Sequence, residues 1–230
     1  MFIVVTGTRG IPGILGGIET HCEQLYPRLV NNEREIVVIR RSCYVTYDNK
    51  LTEFRGVKLK DLYAPHQKSF EAIIHTFLAV IWAKMHRADI VHIHAVGPGI
   101  ITPLARLLRL KVVFTHHGPD YDRAKWGKFA RTVLKMGEKW AVLYANEVIV
   151  ISDVIKKIVI NKYNRYNTHL IFNGVLKPAV TADYDYLQRI GISSHKYIFA
   201  LGRFVSEKGF DLLIRAFTKL QNKDIKLVIA

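Results

Sequence analysis

At 230 residues, 50% of them hydrophobic and 23% charged, the chain can bury one full domain and part of another, and its composition excludes a disordered protein. A formal net charge of +15 points to an anionic partner: phosphorylated metabolites, nucleic acid or an acidic membrane surface. Cys22 and Cys43 lack disulfide-framework or zinc spacing, and the longest apolar run, Phe77 to Ala83, is far too short to cross a bilayer.

The first predicted strand, Phe2–Thr6, runs into a glycine loop and lacks the basic start and cleavage site of a signal peptide, so a cytoplasmic location is expected. Thr6 to Glu19 holds five glycines ahead of a helix expected over Glu19–Asn31. Glycines between a strand and a helix let backbone amides approach a phosphate at the positive end of the helix. Thr6 to Gly13 also fits the TGxxGxxG fingerprint of short-chain dehydrogenases, with Arg40-Arg41 suited to an NADP phosphate and Tyr121 to Lys125 giving a YxxxK spacing. Pro12 inside the fingerprint, and no serine at the triad spacing before Tyr121, speak against it.

Further strands are predicted at Ile36–Arg40, Val57–Asp61, Ile90–His94, Val112–Thr115, Glu147–Ile151 and His169–Phe172. Helices are predicted at Phe70–His86, Gly99–Leu108, Lys125–Ala145 and Asp153–Lys162. Apolar strands alternating with helices give an α/β class: a doubly wound parallel-sheet, Rossmann-like domain over residues 1–176. A polar, proline-containing connection follows over 177–195, and a second Rossmann-like domain begins over 196–230. There a strand from Tyr197 meets a glycine turn, an amphipathic helix and a last strand, Lys226 to Ala230.

Ligands of such sheets bind beyond the carboxyl ends of the strands, where the chemically suggestive residues of this chain fall. His94, His116 and His117 can each hydrogen-bond a sugar hydroxyl or a phosphate. His92 is expected to point the other way and to be structural. Asp120, Asp122, Arg123 and Trp126 suit carbohydrate recognition, with helix capping by either aspartate as the plainer alternative. Lys125, Lys128, Arg131, Lys135 and Lys139 form one helical stripe opposite Trp126, Phe129, Ala130, Val133, Leu134, Trp140 and Ala141. A solvated basic face is the ordinary explanation; a surface docking on anionic lipid headgroups is the functional one. No helix-turn-helix, zinc or RNP pattern supports nucleic-acid binding. Arg203 and Lys208 flank the turn before Gly209 and a helix start, the arrangement of a pyrophosphate clamp.

The chain resembles the family 4 glycosyltransferases of the GT-B fold. The resemblance rests on Gly16-Gly17, Asp89 to His94, Thr115 to Gly118, Phe172 to Val175, Leu201 to Arg203 and Lys208-Gly209, and it spans nearly the whole chain. Thr6 to Thr20 and Arg123 to Gly127 are most similar to the rhamnosyltransferase-like subgroup. The resemblance implies a nucleotide-diphosphate sugar donor held mainly by the second domain. Arg203 and Lys208 would bind the diphosphate, Gly16 and Gly17 the phosphate and sugar, and His117, or neighbouring His116, would sit near the transferred sugar. His94, Asp120, Asp122, Arg123 and Trp126 are the acceptor-side candidates. It further implies retention of configuration, no metal and no cofactor, and a polysaccharide or lipid-linked saccharide acceptor. The acidic EX7E motif of the family is not within the chain, which is therefore expected to be a fragment with little activity of its own. Two alternatives remain: a GT-B-fold nucleotide-sugar 2-epimerase and a non-catalytic membrane- or partner-binding module.

Overall fold

The computed structural model describes residues 1–66, 70–122, 126–177, 185–192, 196–202, 204–222 and 224–230. It divides into two compact units, Met1–Gly174 and Val175–Ala230.

The first unit follows the order β1 (Phe2–Thr6), α1 (Gly17–Leu29), β2 (Glu35–Arg41), β3 (Glu53–Phe54), β4 (Val57–Leu62), α2 (Glu71–Met85), β5 (Ile90–His94), α3 (Thr102–Leu107), β6 (Lys111–His116), α4 (Lys128–Tyr144), β7 (Glu147–Val150), α5 (Asp153–Tyr163) and β8 (His169–Leu170). The strands form one sheet in the order β3-β4-β2-β1-β5-β6-β7-β8. Every pair is parallel except β3 with β4. The chain reverses on β1, which pairs with β2 on one side and β5 on the other, so β1 and β5 flank the switch point where such sheets open a crevice.

Both faces of the sheet are covered, and successive residues of one strand serve opposite layers. Val4, Val37, Ile39, Val91, Ile93, Val112 and Phe114 join Ala79, Val80 and Ala83 of α2 and Ala141 and Val142 of α4 in the larger core. Val5, Ile36 and Val38 join Cys22 and Tyr26 of α1, with Ile11 and Val57, in the smaller one. The second unit holds α6 (Asp185–Arg189), β9 (Tyr197–Ala200), α7 (Phe210–Thr218) and β10 (Lys226–Ile229), with β9 and β10 parallel.

Differences from the sequence expectations are local. The two-residue β3 is too short to show a period. The helix expected from Gly99 begins as a 3-10 turn, Pro98–Ile101, before α3. The helix expected from Lys125 begins at Lys128, and Arg123 and Lys125 lie outside the described residues. The expected polar connection contains α6. Ser152, at the end of β7, caps α5 by accepting from the Ile155 N–H at 3.3 Å.

Two glycines carry close backbone approaches. A Cβ on Gly7, whose φ is +91°, would lie 2.1 Å from the carbonyl oxygen of His94, so the loop after β1 rests directly on the end of β5. A Cβ on Gly137 would lie 2.2 Å from the Val96 carbonyl, which seats α4 on the loop after β5. Gly7→Ala combines a disfavoured φ with a clash against immobile backbone. It is expected to cost roughly 2–4 kcal/mol in a chemical denaturation series. A change below about 0.5 kcal/mol would contradict this packing.

Candidate functional site

The parity of β5 and β6 decides which histidines reach the crevice. On β5, Val91 and Ile93 enter the larger core, so His92 and His94 both face α1. This corrects the expectation that His92 points away from His94: residues two apart on a strand share a face, and the two rings stack at 4.3 Å. On β6, Phe114 enters the larger core and His116 follows on the same side, whereas Thr115 faces α1. His117, just beyond β6, returns to the α1 side and meets His94.

A chain of buried polar contacts results. Tyr26 Oη lies 2.9 Å from His92 Nδ1 and 2.5 Å from His94 Nε2. His92 Nε2 reaches Thr115 Oγ1 at 2.7 Å, and His94 Nδ1 reaches His117 Nε2 at 2.8 Å. His21 of α1 packs edge-on against both His94 and His117, with ring centroids 5.8 and 5.1 Å away. Burial drives His92 and His117 down to about 3 and lowers His94 and His21 too, so all four rings are neutral at neutral pH. His94 and His92 are buried; His117 and His21 are half-buried and reachable.

His116 belongs to a different assembly. Its Nδ1 accepts from the Gly118 N–H at 3.1 Å, which leaves Nε2–H to donate to Glu138 Oε1 at 2.8 Å. The same carboxylate accepts from Tyr121 Oη at 3.1 Å and from Tyr163 Oη at 2.6 Å, and Lys162 Nζ donates to Tyr121 Oη at 2.6 Å. His116 and Glu138 are both fully buried. His116, expected beside His117, has both ring nitrogens engaged within this assembly, which holds the turn that presents His117. His94, expected on the acceptor side, is buried, and its ring meets Tyr26 and His117.

The glycine loop folds onto the first turn of α1. Buried Glu19 accepts from the Arg9 N–H at 3.0 Å and from the Thr8 hydroxyl at 3.3 Å, and a Cβ on Gly16 would strike its carboxylate. Gly17 starts α1 in an exposed position, one turn before His21. Arg40 is fully buried and spends its guanidinium on Asp61 and on the carbonyls of Asn49 and Leu51, while Arg41 pairs with Glu71 at 2.6 Å. Both are engaged within the fold, which speaks against the NADP-phosphate role considered for them.

Asp120 and Asp122 bracket Tyr121 in a 3-10 turn whose tyrosine is anchored on Glu138, and Trp126 is half-buried beyond it. Lys128, Arg131, Lys135 and Lys139 are exposed on α4. Phe129, expected on the apolar side, is 74% exposed beside them. In the second unit, exposed Lys208 closes a 3-10 turn immediately before the left-handed Gly209; Arg203 lies outside the described residues. A surface hollow lined by Phe2, Glu35, Lys58, Trp82 and His86 lies at the amino ends of the strands, away from His21, His94 and His117.

Sequence reasoning missed His21, Tyr26 and Glu138. Glu138 had a signal: a carboxylate at helical spacing from Leu134, Ala141 and Val142 sits in an apolar stripe, where it needs partners. Burial alone would raise its pKa, but the hydrogen bonds from His116 and Tyr163 outweigh that and leave it lowered. The ionised carboxylate therefore stabilises the fold fully above the ordinary value, 4.5, and that contribution is lost as pH falls through the lower folded value. Glu138→Gln is expected to destabilise by about 2–4 kcal/mol at neutral pH. It should also flatten the acid limb of unfolding midpoints measured from about pH 6 to pH 3. An unchanged acid limb would show that this carboxylate does not govern it.

The sequence model of Glycosyltransferase Family 4 matches residues 15–175. The chain is similar to an uncharacterized glycosyltransferase, MJ1607, of Methanocaldococcus jannaschii, at 25% identity over 95% of this chain and 60% of that protein. Among solved structures it is similar to Anabaena HepE in complex with UDP and glucose (TM-score 0.72, 16% identity, 99% of this chain and 60% of that one). It is also similar to sucrose-phosphate synthase of Thermosynechococcus elongatus (TM-score 0.76, 18% identity, 99% and 61%). A UDP-N-acetylglucosamine 2-epimerase from Rickettsia bellii matches with a TM-score of 0.56 at 12% identity, over 100% and 62%. The chain thus spans about 60% of the length of these relatives. With the family model covering most of the parallel-sheet unit and its glycine and histidine edge, the chain belongs to glycosyltransferase family 4.

Proposed function

We propose that the protein carrying this chain transfers a sugar from a nucleotide-diphosphate donor to a saccharide or lipid-linked acceptor with retention of configuration, without metal or cofactor. The observation that carries this reading is His117: a neutral, half-buried imidazole beyond β6, on the same side as the start of α1 and backed by His94. A neutral ring there can hydrogen-bond a sugar hydroxyl, whereas an imidazolium would repel the positive charge that develops at the anomeric carbon. Gly16 and Gly17 would admit the donor to the helix start, and Arg203 with Lys208 would stabilise the departing diphosphate. Asp120, Asp122, Arg123 and Trp126 would frame the acceptor.

Full-length protein would be assayed with a panel of nucleotide-diphosphate sugars, a rhamnose donor included, with and without saccharide acceptors. Acceptor-dependent release of the nucleoside diphosphate is expected, and His117→Ala should lower kcat on the order of 100-fold. An epimerised donor formed without any acceptor would replace this reading with the 2-epimerase one, which the shared fold of the Rickettsia protein keeps open.

The basic face of α4 supports peripheral contact with an anionic membrane at its inner, cytoplasmic side, where a lipid-linked acceptor would be met. Lys128, Arg131, Lys135 and Lys139 supply charge, and exposed Phe129 supplies an apolar side chain among them. Among the described residues no helix is long and apolar enough to cross a membrane. Sedimentation with phosphatidylglycerol vesicles should be lost when Lys128, Arg131 and Lys135 are all changed to Glu; undiminished sedimentation rejects the surface.

A further inference from the structure

His21, His94 and His117 come from three separate places, α1, the end of β5 and the turn after β6, and each brings one ring nitrogen to within 4.8 Å of the others. We propose that these three imidazoles form a binding site for a divalent transition-metal ion of the zinc class. The ion is not needed for the transfer proposed above.

The identity of the donors argues for this class. Three imidazoles and no carboxylate suit Zn2+, Co2+, Ni2+ or Cu2+, whereas Mg2+ and Ca2+ require oxygen ligands. Three histidines around zinc leave a fourth position for water. His94 can offer only Nδ1, because its Nε2 is held by Tyr26, and that Nδ1 already faces His117 Nε2 at 2.8 Å. With metal–nitrogen bonds of about 2.0–2.1 Å, tetrahedral ligand nitrogens lie roughly 3.3 Å apart. The His94–His117 pair must therefore open by about half an ångström, and half-buried His21 must swing inward. The proton shared between the pair moves to His117 Nδ1, so every ligand stays a neutral imidazole.

The surroundings of His94 supply the second argument. Ligating histidines nearly always donate their other ring N–H to a fixed acceptor, which sets the tautomer. Here the contacts for such a relay are already in place, and one consistent set of tautomers runs His94 Nε2–H to Tyr26 Oη, Tyr26 O–H to His92 Nδ1, and His92 Nε2–H to Thr115 Oγ1. Run in that direction, it leaves the lone pair of His94 Nδ1 aimed at the cluster. An ion bound there would occupy His117 Nε2 and compete with any other partner of that atom.

The test is a calorimetric titration of the chain with Zn2+, paired with Co2+ titration followed by visible absorption. One saturating equivalent and the intense visible bands of tetrahedral Co2+ are expected, with no response to Mg2+. His21→Ala, at a half-exposed position whose fold is checked by circular dichroism, should weaken binding at least tenfold. Tyr26→Phe, which breaks the relay without touching a ligand, should weaken it about 10-fold or more. Absence of a saturable equivalent, or unchanged affinity in folded His21→Ala, overturns the proposal. Neither result depends on sugar transfer, so the site and the transferase reading stand or fall separately.

Discussion

A strand inside a sheet covered on both faces gives each side chain one of two destinations, and that alternation governs everything at the carboxyl edge of this protein. His116 and His117 are neighbours in the chain, yet β6 sends the first into the α4 layer and leaves the second on the α1 side. A one-residue slip in the pairing of β6 with β5 would exchange them. The ladder Ile90 to His94 against Lys111 to Thr115 is therefore what sends one histidine to Glu138 and the other to His94.

Each layer then meets the cost of burying polar groups in its own way. On the α4 side the solution is ionic: one buried carboxylate, Glu138, collects hydrogen bonds from a histidine and two tyrosines and fixes the turn that follows β6. On the α1 side it is neutral, with one tyrosine hydroxyl joining two stacked imidazoles and a third imidazole leaning on them. Neutrality there follows from desolvation combined with the mutual repulsion that several imidazolium rings would suffer. The half-buried members, His117 and His21, are the ones left accessible to a ligand.

Much of this was legible in the sequence. The strand and helix periods gave the parallel sheet, and the first, fourth and fifth long strands end where the glycines and histidines stand. Glycine content alone located the loop before α1, and Gly7 is needed because His94 O lies against it. The partners of the histidines were not legible. Tyr26 lies 66 and 68 residues from His92 and His94, and nothing local marks it as their hydrogen-bond partner. His92 shares the face of His94 because a strand repeats every two residues, and Phe129 is exposed because helical spacing gives a direction but not what covers it.

Periodicity, glycine turns and motif order are properties of short segments, and they suffice for the fold class, the family and the sheet edge that gathers the glycines and histidines. Which histidine faces which layer, the partnership of Glu138 and Tyr26 with them, and the completion of a three-imidazole cluster by His21 come from long-range packing. Those relations join residues up to 96 positions apart, from His21 to His117. They exist only once strand register and helix packing have set the distances.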